Sequence, residues 1–302
     1  MRTVIGSILI ALGCLLAPFA LTAYWAANEI ADPNRYIRNV TPLATHPAVR
    51  NAITNRVTDE VILRLRGLGV TVGGELIRET VKTGIDDDFA VAWVEINRLT
   101  HRRLLAVLSH APNSAVPGDG VGYDLAPVYE LVKRRLQVAG LGAASRLPQT
   151  HPVAPLLPTS AVAAIDGTYD RLVSLRWVLV CASPALIGAG VFLIRDRYVA
   201  LIGAGLGLAA SMLALAIAMS AVRNVYLPGS VTGLSNNAVV AIFDALTAFL
   251  RNGLRVLFTL GLLVAATAFV VRGRRIRSRL VAAAFENRSH QAAEPSKDVP
   301  EG

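Results

Sequence analysis

Four stretches of this chain carry no charged side chain. Val4 to Ala27, Trp177 to Ile194, Tyr198 to Val222 and Val256 to Val271 contain no Asp, Glu, Lys or Arg. A bilayer's hydrocarbon core is about 30 Å thick, so a helix rising about 1.5 Å per residue crosses it in roughly 20 residues. The first and third stretches reach that length unaided. The second and fourth reach it by extending into Leu172 to Arg176 and Arg251 to Arg255. One apolar run at the start and three near the end, with a long polar segment between, predict an integral membrane protein carrying one sizeable domain on a single side.

The expected fold class is mainly α: a four-helix transmembrane bundle with a mostly helical extracytoplasmic domain containing a short β-hairpin. The divisions follow from the apolar runs. A cytoplasmic N-terminus (1–3) precedes a first span (4–27) and the extracytoplasmic domain (28–171). A second span (172–194), a cytoplasmic turn (195–197) and a third span (198–222) come next. An outer loop with an amphipathic helix (223–253), a fourth span (254–271) and a cytoplasmic basic segment with a disordered tail (272–302) complete the chain.

Charge sets the orientation. The chain has a formal net charge of +9, yet Asn28 to Arg171 holds 16 basic and 15 acidic residues. The excess lies at span ends: Arg2, then Arg195 and Arg197, then Arg272, Arg274, Arg275, Arg277 and Arg279. All of these fall on one side of the bilayer if the N-terminus is cytoplasmic, as the positive-inside bias prefers. Tyr24, Trp25, Trp177 and Tyr226 mark outer boundaries and Tyr198 an inner one. A basic chain can also bind nucleic acid, but clustering at span ends is explained by topology, so no nucleic-acid partner is expected. Both cysteines, Cys14 and Cys181, lie in spans as inert buried thiols, and the outer domain needs no disulfide. The first span is long and lacks an Ala-x-Ala site, which argues against a cleaved signal peptide.

Within the domain, Pro47 opens a helix carrying Val49, Ile53, Val57 and Leu63 and stopping at Gly67. A second, weaker helix covers about Glu75 to Lys82. A third starts at Asp86-Asp87-Asp88, whose carboxylates suit a helix N-terminus, and carries Phe89, Trp93, Ile96, Leu104 and Leu108. Pro117-Gly118-Asp119-Gly120 is a turn between short extended pieces, the second being Val121 to Leu125. Pro127 opens a further helix ended by Gly140, Leu147 to Pro158 is extended, and Ser160 caps a helix entering the second span. After a loop, Val239, Ile242, Phe243, Leu246, Phe249 and Leu250 line one face of a helix running on into the fourth span.

Few residues suggest chemistry. The histidines form no metal-ligand pattern, no nucleophile elbow occurs, and no cofactor is implied. Gly203-x-Gly205-x-Gly207 lies in an apolar run and not at a strand-to-helix turn. Gly203 with Gly207, and Gly261 with Ala265, are therefore read as small-residue pairs for helix packing. Spans without Asp, Glu, His, Lys or Arg offer no proton or ion relay. The face worth singling out is Trp93, Asn97 and His101, at successive i, i+4 positions. It could line a pocket with a stacking ring, an amide and an imidazole. It could equally be a core tryptophan with two polar neighbours bonding loop backbone, which is the simpler use.

The chain resembles a group of uncharacterised actinobacterial integral membrane proteins over nearly its whole length. The likeness rests on Asn34-Arg35-Tyr36-Ile37, Thr41-Pro42-Leu43-Ala44 and Pro47-Ala48-Val49. It continues in Trp93-x-x-x-Asn97-Arg98-x-x-His101, Tyr123-Asp124-Leu125-Ala126-Pro127 and Val240 to Arg255. It implies one span, an outer domain and three further spans, and no established activity. Asn34 departs from the group's pattern, where an acidic residue precedes Arg-Tyr. The functional expectation is a non-enzymatic envelope protein whose outer domain binds a partner or senses a ligand. Its partners are the lipid bilayer and itself or another membrane protein. The rivals are a transport component and a membrane-bound enzyme acting on envelope lipid or glycan.

Overall fold

A computed structural model of the chain describes residues 1–69, 74–108, 121–148, 153–157, 168–227 and 235–292. Helix α1, Arg2–Trp25, runs through Pro18 and passes into a π-helical turn, Ala26–Ile30. Asp32 starts α2, Pro33–Val40: its carboxylate accepts from the N–H groups of Asn34 at 2.8 Å and Arg35 at 3.1 Å. Those donors have no partner within the helix, which is why Asp serves here, with Pro in the first turn. A 3-10 turn, Thr41–Thr45, leads to α3, Pro47–Gly67, and then to α4, Gly74–Leu108. Strand β1, Val121–Asp124, precedes α5, Ala126–Val138, a 3-10 turn at Gly142–Arg146, and β2, Val153–Leu157. Helix α6, Thr168–Leu193, is followed by α7, Arg197–Ala221, which ends in a second π-helical turn, Val222–Tyr226. Helices α8, Asn236–Leu246, and α9, Ala248–Ala292, complete the described chain.

Among the described residues, four segments are long and apolar enough to cross a membrane: Arg2–Ile30, Ser174–Leu193, Arg197–Val225 and Ala248–Ser278. A helix pairs every backbone group within its own segment, which hydrocarbon demands. The protein is thus a helical membrane protein.

The chain divides into two compact units. The first comprises 1–18, 181–213 and 255–302. Its helices approach through glycines. A Cβ placed on Gly190 of α6 would lie 2.6 Å from the Gly6 carbonyl oxygen of α1, and Ser183 Oγ donates to the Gly13 carbonyl at 2.9 Å. Between α7 and α9, a Cβ on Gly205 would meet the Gly261 carbonyl oxygen, and one on Gly261 would lie 2.7 Å from the Gly205 carbonyl. The interlocking pairs are therefore Gly205 with Ala209 and Gly261 with Ala265. This corrects the expected pairing of Gly203 with Gly207: Gly203 faces open space, and a Cβ on Gly207 would lie 3.0 Å from Cys14 Sγ of α1. Residues two apart on a helix are about 200° apart around it. Small residues recur at several registers in this run, so spacing alone does not select the one in contact. Cys14 is buried, whereas Cys181 is exposed on the helix surface, contrary to the expected burial of both.

The second unit comprises 19–180 and 214–254. Its core joins Tyr36, Val40 and Leu43 to one face each of α3, α4 and α5. On α3 that face is Val49, Ile53, Val57, Val61 and Leu65, at strict four-residue spacing. Leu63, expected in the core, is 62% exposed, because it sits two residues from Val61 on the opposite side. Helix α8 adds Ala238, Ala241 and Ile242, so a segment placed apart by the sequence reading completes the domain core.

Four further expectations change. The two helices foreseen at Glu75 to Lys82 and from Asp86 onward are one helix, α4, with Asp86 to Asp88 inside it and not at a start. No proline interrupts the span. A single glycine costs about 1 kcal/mol, little against buried Ile77, Val81, Phe89, Trp93 and Ile96. Strand β1 pairs antiparallel with β2, Tyr123 opposite Ala154 and Asp124 opposite Val153, so α5 intervenes where a local hairpin was foreseen. The Pro117 to Gly120 turn and Ser160 lie outside the described residues. Finally, the helix expected to run unbroken into the fourth span is interrupted at Thr247, and helix continues past Arg288 to Ala292.

Candidate functional site

Trp93, Asn97 and His101 share one face of α4 and are all fully buried. Trp93 lies between Phe89 and Tyr123, with ring centroids at 5.8 and 5.3 Å, and its indole N–H donates to the Val40 carbonyl at 2.8 Å. That carbonyl ends α2, where helix geometry leaves acceptors free. Asn97 donates from Nδ2 to the Trp93 carbonyl at 2.8 Å, and its Oδ1 lies 3.4 Å from the Tyr36 hydroxyl. His101 stacks on Tyr36 with ring centroids 4.3 Å apart, and its Nε2 is 2.6 Å from the Ile30 carbonyl. A carbonyl only accepts, so Nε2 carries the proton and donates.

The Ile30 carbonyl belongs to the π-helical turn that prolongs the first span. Two residues of that turn's neighbourhood reinforce the joint. Glu29, itself buried, accepts from Arg35 Nη1 at 3.0 Å and from Asn39 Nδ2 at 2.8 Å. Arg35 thereby obtains its carboxylate from Glu29 and needs none at the neighbouring position, where Asn34 is exposed. On the far side of Trp93, buried Asp124 pairs with Arg103 Nη2 at 2.9 Å and accepts from the Ala126 N–H at 3.1 Å. Asp commonly makes this bond where a chain turns into a helix. Motifs that stand far apart in the sequence, those around Tyr36, Trp93 and Tyr123, thus interlock at one place.

Chemically, this face is occupied. The imidazole has one nitrogen bonded to backbone and a ring face covered by Tyr36, leaving it 1% exposed. It fastens three segments and presents nothing to solvent. Among the described residues no cluster of His, Cys, Asp and Glu suits a metal ion.

Burial pushes the Tyr36 phenol up to about 12 and holds that of Tyr123 well above its ordinary value. The Tyr123 hydroxyl neighbours that of Tyr36 without a well-formed hydrogen bond. Because the folded-state values are raised, the stability linked to these phenols is complete below about pH 10 and lost as pH climbs toward 12. Alkaline titration of phenolate absorbance should therefore show a late cooperative step coinciding with loss of helix. Ionisation of all seven tyrosines near their ordinary value with helicity intact would contradict the burial.

A second polar joint sits where α8 meets α9. Asp244 receives both Arg223, at 2.9 Å to each carboxylate oxygen, and Arg251 Nη1. The Arg223 guanidinium beside Asp244 holds its carboxyl below the usual carboxylate range. Arg251 Nη2 also donates to the Asp244 carbonyl at 2.6 Å, and the Trp25 indole donates to the Leu246 carbonyl at 2.9 Å. Carbonyls freed by the break at Thr247 are satisfied in this way, which explains how the break persists. Each half of this joint looks unremarkable in the sequence, because its partners are separated by a loop.

The arginines marked as topology signals flank the apolar runs. Arg2 starts α1, Arg195 precedes α7 and Arg197 starts it. Arg272, Arg274, Arg275, Arg277 and Arg279 follow the apolar part of α9. Comparison with protein family models, with curated proteins and with solved structures yields no match.

Proposed function

We propose that this is a non-enzymatic, multi-pass protein of the plasma membrane, of the actinobacterial type it resembles. Both termini are cytoplasmic, the four spans form a bundle, and the helical domain stands outside the cell, where it binds a partner or senses a ligand. The observation that carries this reading is the joint at Ile30. The domain's buried polar face, through His101, grips the turn that prolongs the first span, and Glu29 ties the same turn to α2. A sensor or scaffold needs its domain fastened to the segment that follows its first apolar run, and this joint supplies that fastening. The charge distribution supports the orientation. Arg223 and Arg251, at the ends nearest the domain, are paired by Asp244, while the basic clusters sit at the opposite ends. Open space beside Gly203 leaves room for association with a second copy or another membrane protein.

Two exposed serines test the reading, Ser145 in the domain and Ser278 on α9. In a background with Cys14 and Cys181 replaced by alanine, Ser145→Cys should react with an impermeant maleimide in intact cells. Ser278→Cys should react only after lysis. A crosslinker carried at Ser145→Cys should capture a discrete adduct in native membranes that disappears when the domain is destabilised. Labelling of Ser278→Cys from outside overturns the topology, and an adduct indifferent to domain folding overturns the binding role.

A further inference from the structure

The arginines between α6 and α7 and those past the apolar part of α9 do more than flank the apolar runs. Around the turn between α6 and α7 and the segment of α9 just past its apolar run lies a cavity of about 1120 Å³. It is lined by Arg195, Asp196, Arg197, Tyr198, Arg272 and Arg275, with apolar Leu201 and Ile276 beside them. A positive-inside signal requires only that arginines lie on the correct side. It requires no convergence, and convergence of like charges is unfavourable unless something offsets it.

The described lining residues offset little of it. Asp196 is the one carboxylate among them, and it is already engaged: its Oδ1 accepts from the N–H groups of Tyr198 at 3.1 Å and Val199 at 3.3 Å, capping α7. Its other oxygen lies 3.8 Å from Arg272 Nη2, a loose pair. Arg275 rests over the Tyr198 ring at 5.1 Å, an arrangement that holds a guanidinium in place while leaving its N–H edge free to donate. Four guanidiniums against one carboxylate leave three positive charges uncompensated. They stand at the ends of the apolar runs, where a bilayer spanned by these helices would place its headgroups.

We propose that this cavity binds the phosphate of an anionic phospholipid headgroup, with the guanidiniums of Arg195, Arg272 and Arg275 as donors and the acyl chains lying beside Leu201 and Ile276. Guanidinium forks match phosphate oxygens, and basic pockets between membrane helices hold anionic headgroups on this principle. The position at the end of the apolar runs selects a membrane lipid over a free phosphate. The inference is independent of what the domain binds.

The test uses the purified full-length protein in detergent, with thermal unfolding followed as phosphatidylglycerol, phosphatidylcholine or inorganic phosphate is added. Phosphatidylglycerol should raise the midpoint saturably and phosphatidylcholine should not. Arg195→Gln/Arg272→Gln/Arg275→Gln should weaken the phosphatidylglycerol response roughly tenfold or more, whereas Arg274→Gln/Arg277→Gln, removing charge outside the lining, should leave it unchanged. Should the triple variant insert or fold poorly, Arg272→Lys/Arg275→Lys keeps the charge but loses the fork, and should still weaken binding. Equal weakening by the two glutamine sets, or full binding by the lysine variant, overturns a built site. Saturable stabilisation by inorganic phosphate with none by phosphatidylglycerol overturns the lipid assignment.

Discussion

Trp93→Ala should destabilise the helical domain by about 3–5 kcal/mol, the usual consequence of deleting a fully buried large aromatic side chain. The indole fills the space between Phe89 and Tyr123, and its N–H is the donor to the Val40 carbonyl. Removing it leaves both a void and a buried acceptor without a partner. Since domains are stable by only about 5–15 kcal/mol, a loss of this size populates unfolded domain at ordinary temperatures. Protease sensitivity of the domain in isolated membranes, together with thermal unfolding in detergent, measures it. Trp93→Phe separates the contributions: it keeps most of the ring and should lose about 1–3 kcal/mol through the stranded carbonyl. Unchanged stability in Trp93→Ala, with an altered response to a bound ligand, would mean that this face is a pocket after all.

Replacing Gly205 by leucine should disrupt the contact between α7 and α9, whereas the same change at Gly203 should do little. At Gly205 even a Cβ would fall on the Gly261 carbonyl and 2.8 Å from the Ala265 backbone nitrogen, neither of which can rotate away. The helices must part, losing the close backbone approach on which association in a bilayer depends. Overpacking of this kind costs about 1–3 kcal/mol, and parted helices lose further contact along their length. At Gly203 a side chain meets nothing within 4 Å, and an exposed substitution shifts stability by about 0.5 kcal/mol or less. Unfolding in mixed micelles compares the two. Equal destabilisation would show that the register is wrong.

Much of this architecture is legible in the sequence for simple reasons. A charge-free run of about 20 residues has one stable form in hydrocarbon, so the spans can be read without knowing their neighbours. The helix start at Pro47 is similarly local, because proline acts within one turn. What failed was what depended on partners. The acidic run at Asp86 to Asp88 looks like a helix start locally, but buried residues on both sides carry α4 straight through it. The break at Thr247 is invisible along the chain because one donor that stabilises it, the Trp25 indole, comes from more than two hundred residues away. The face of Trp93, Asn97 and His101 was found from spacing alone, yet its use was not, because Val40, Tyr36 and Ile30 supply the other half of each contact.

By itself, then, the sequence determined that the chain carries four segments apolar and long enough to cross a membrane and which flanks of those segments carry positive charge. Hydrophobic transfer and interfacial charge act on each segment separately, so these properties need no fold to be realised. Only the tertiary structure decided which glycines touch, which strand pairs with β1, and that His101 holds the end of the first span. It also decided that four arginines share one cavity. Each of these is a relation between distant residues, set by which surfaces exclude one another's solvent, and such relations have no signature in local composition.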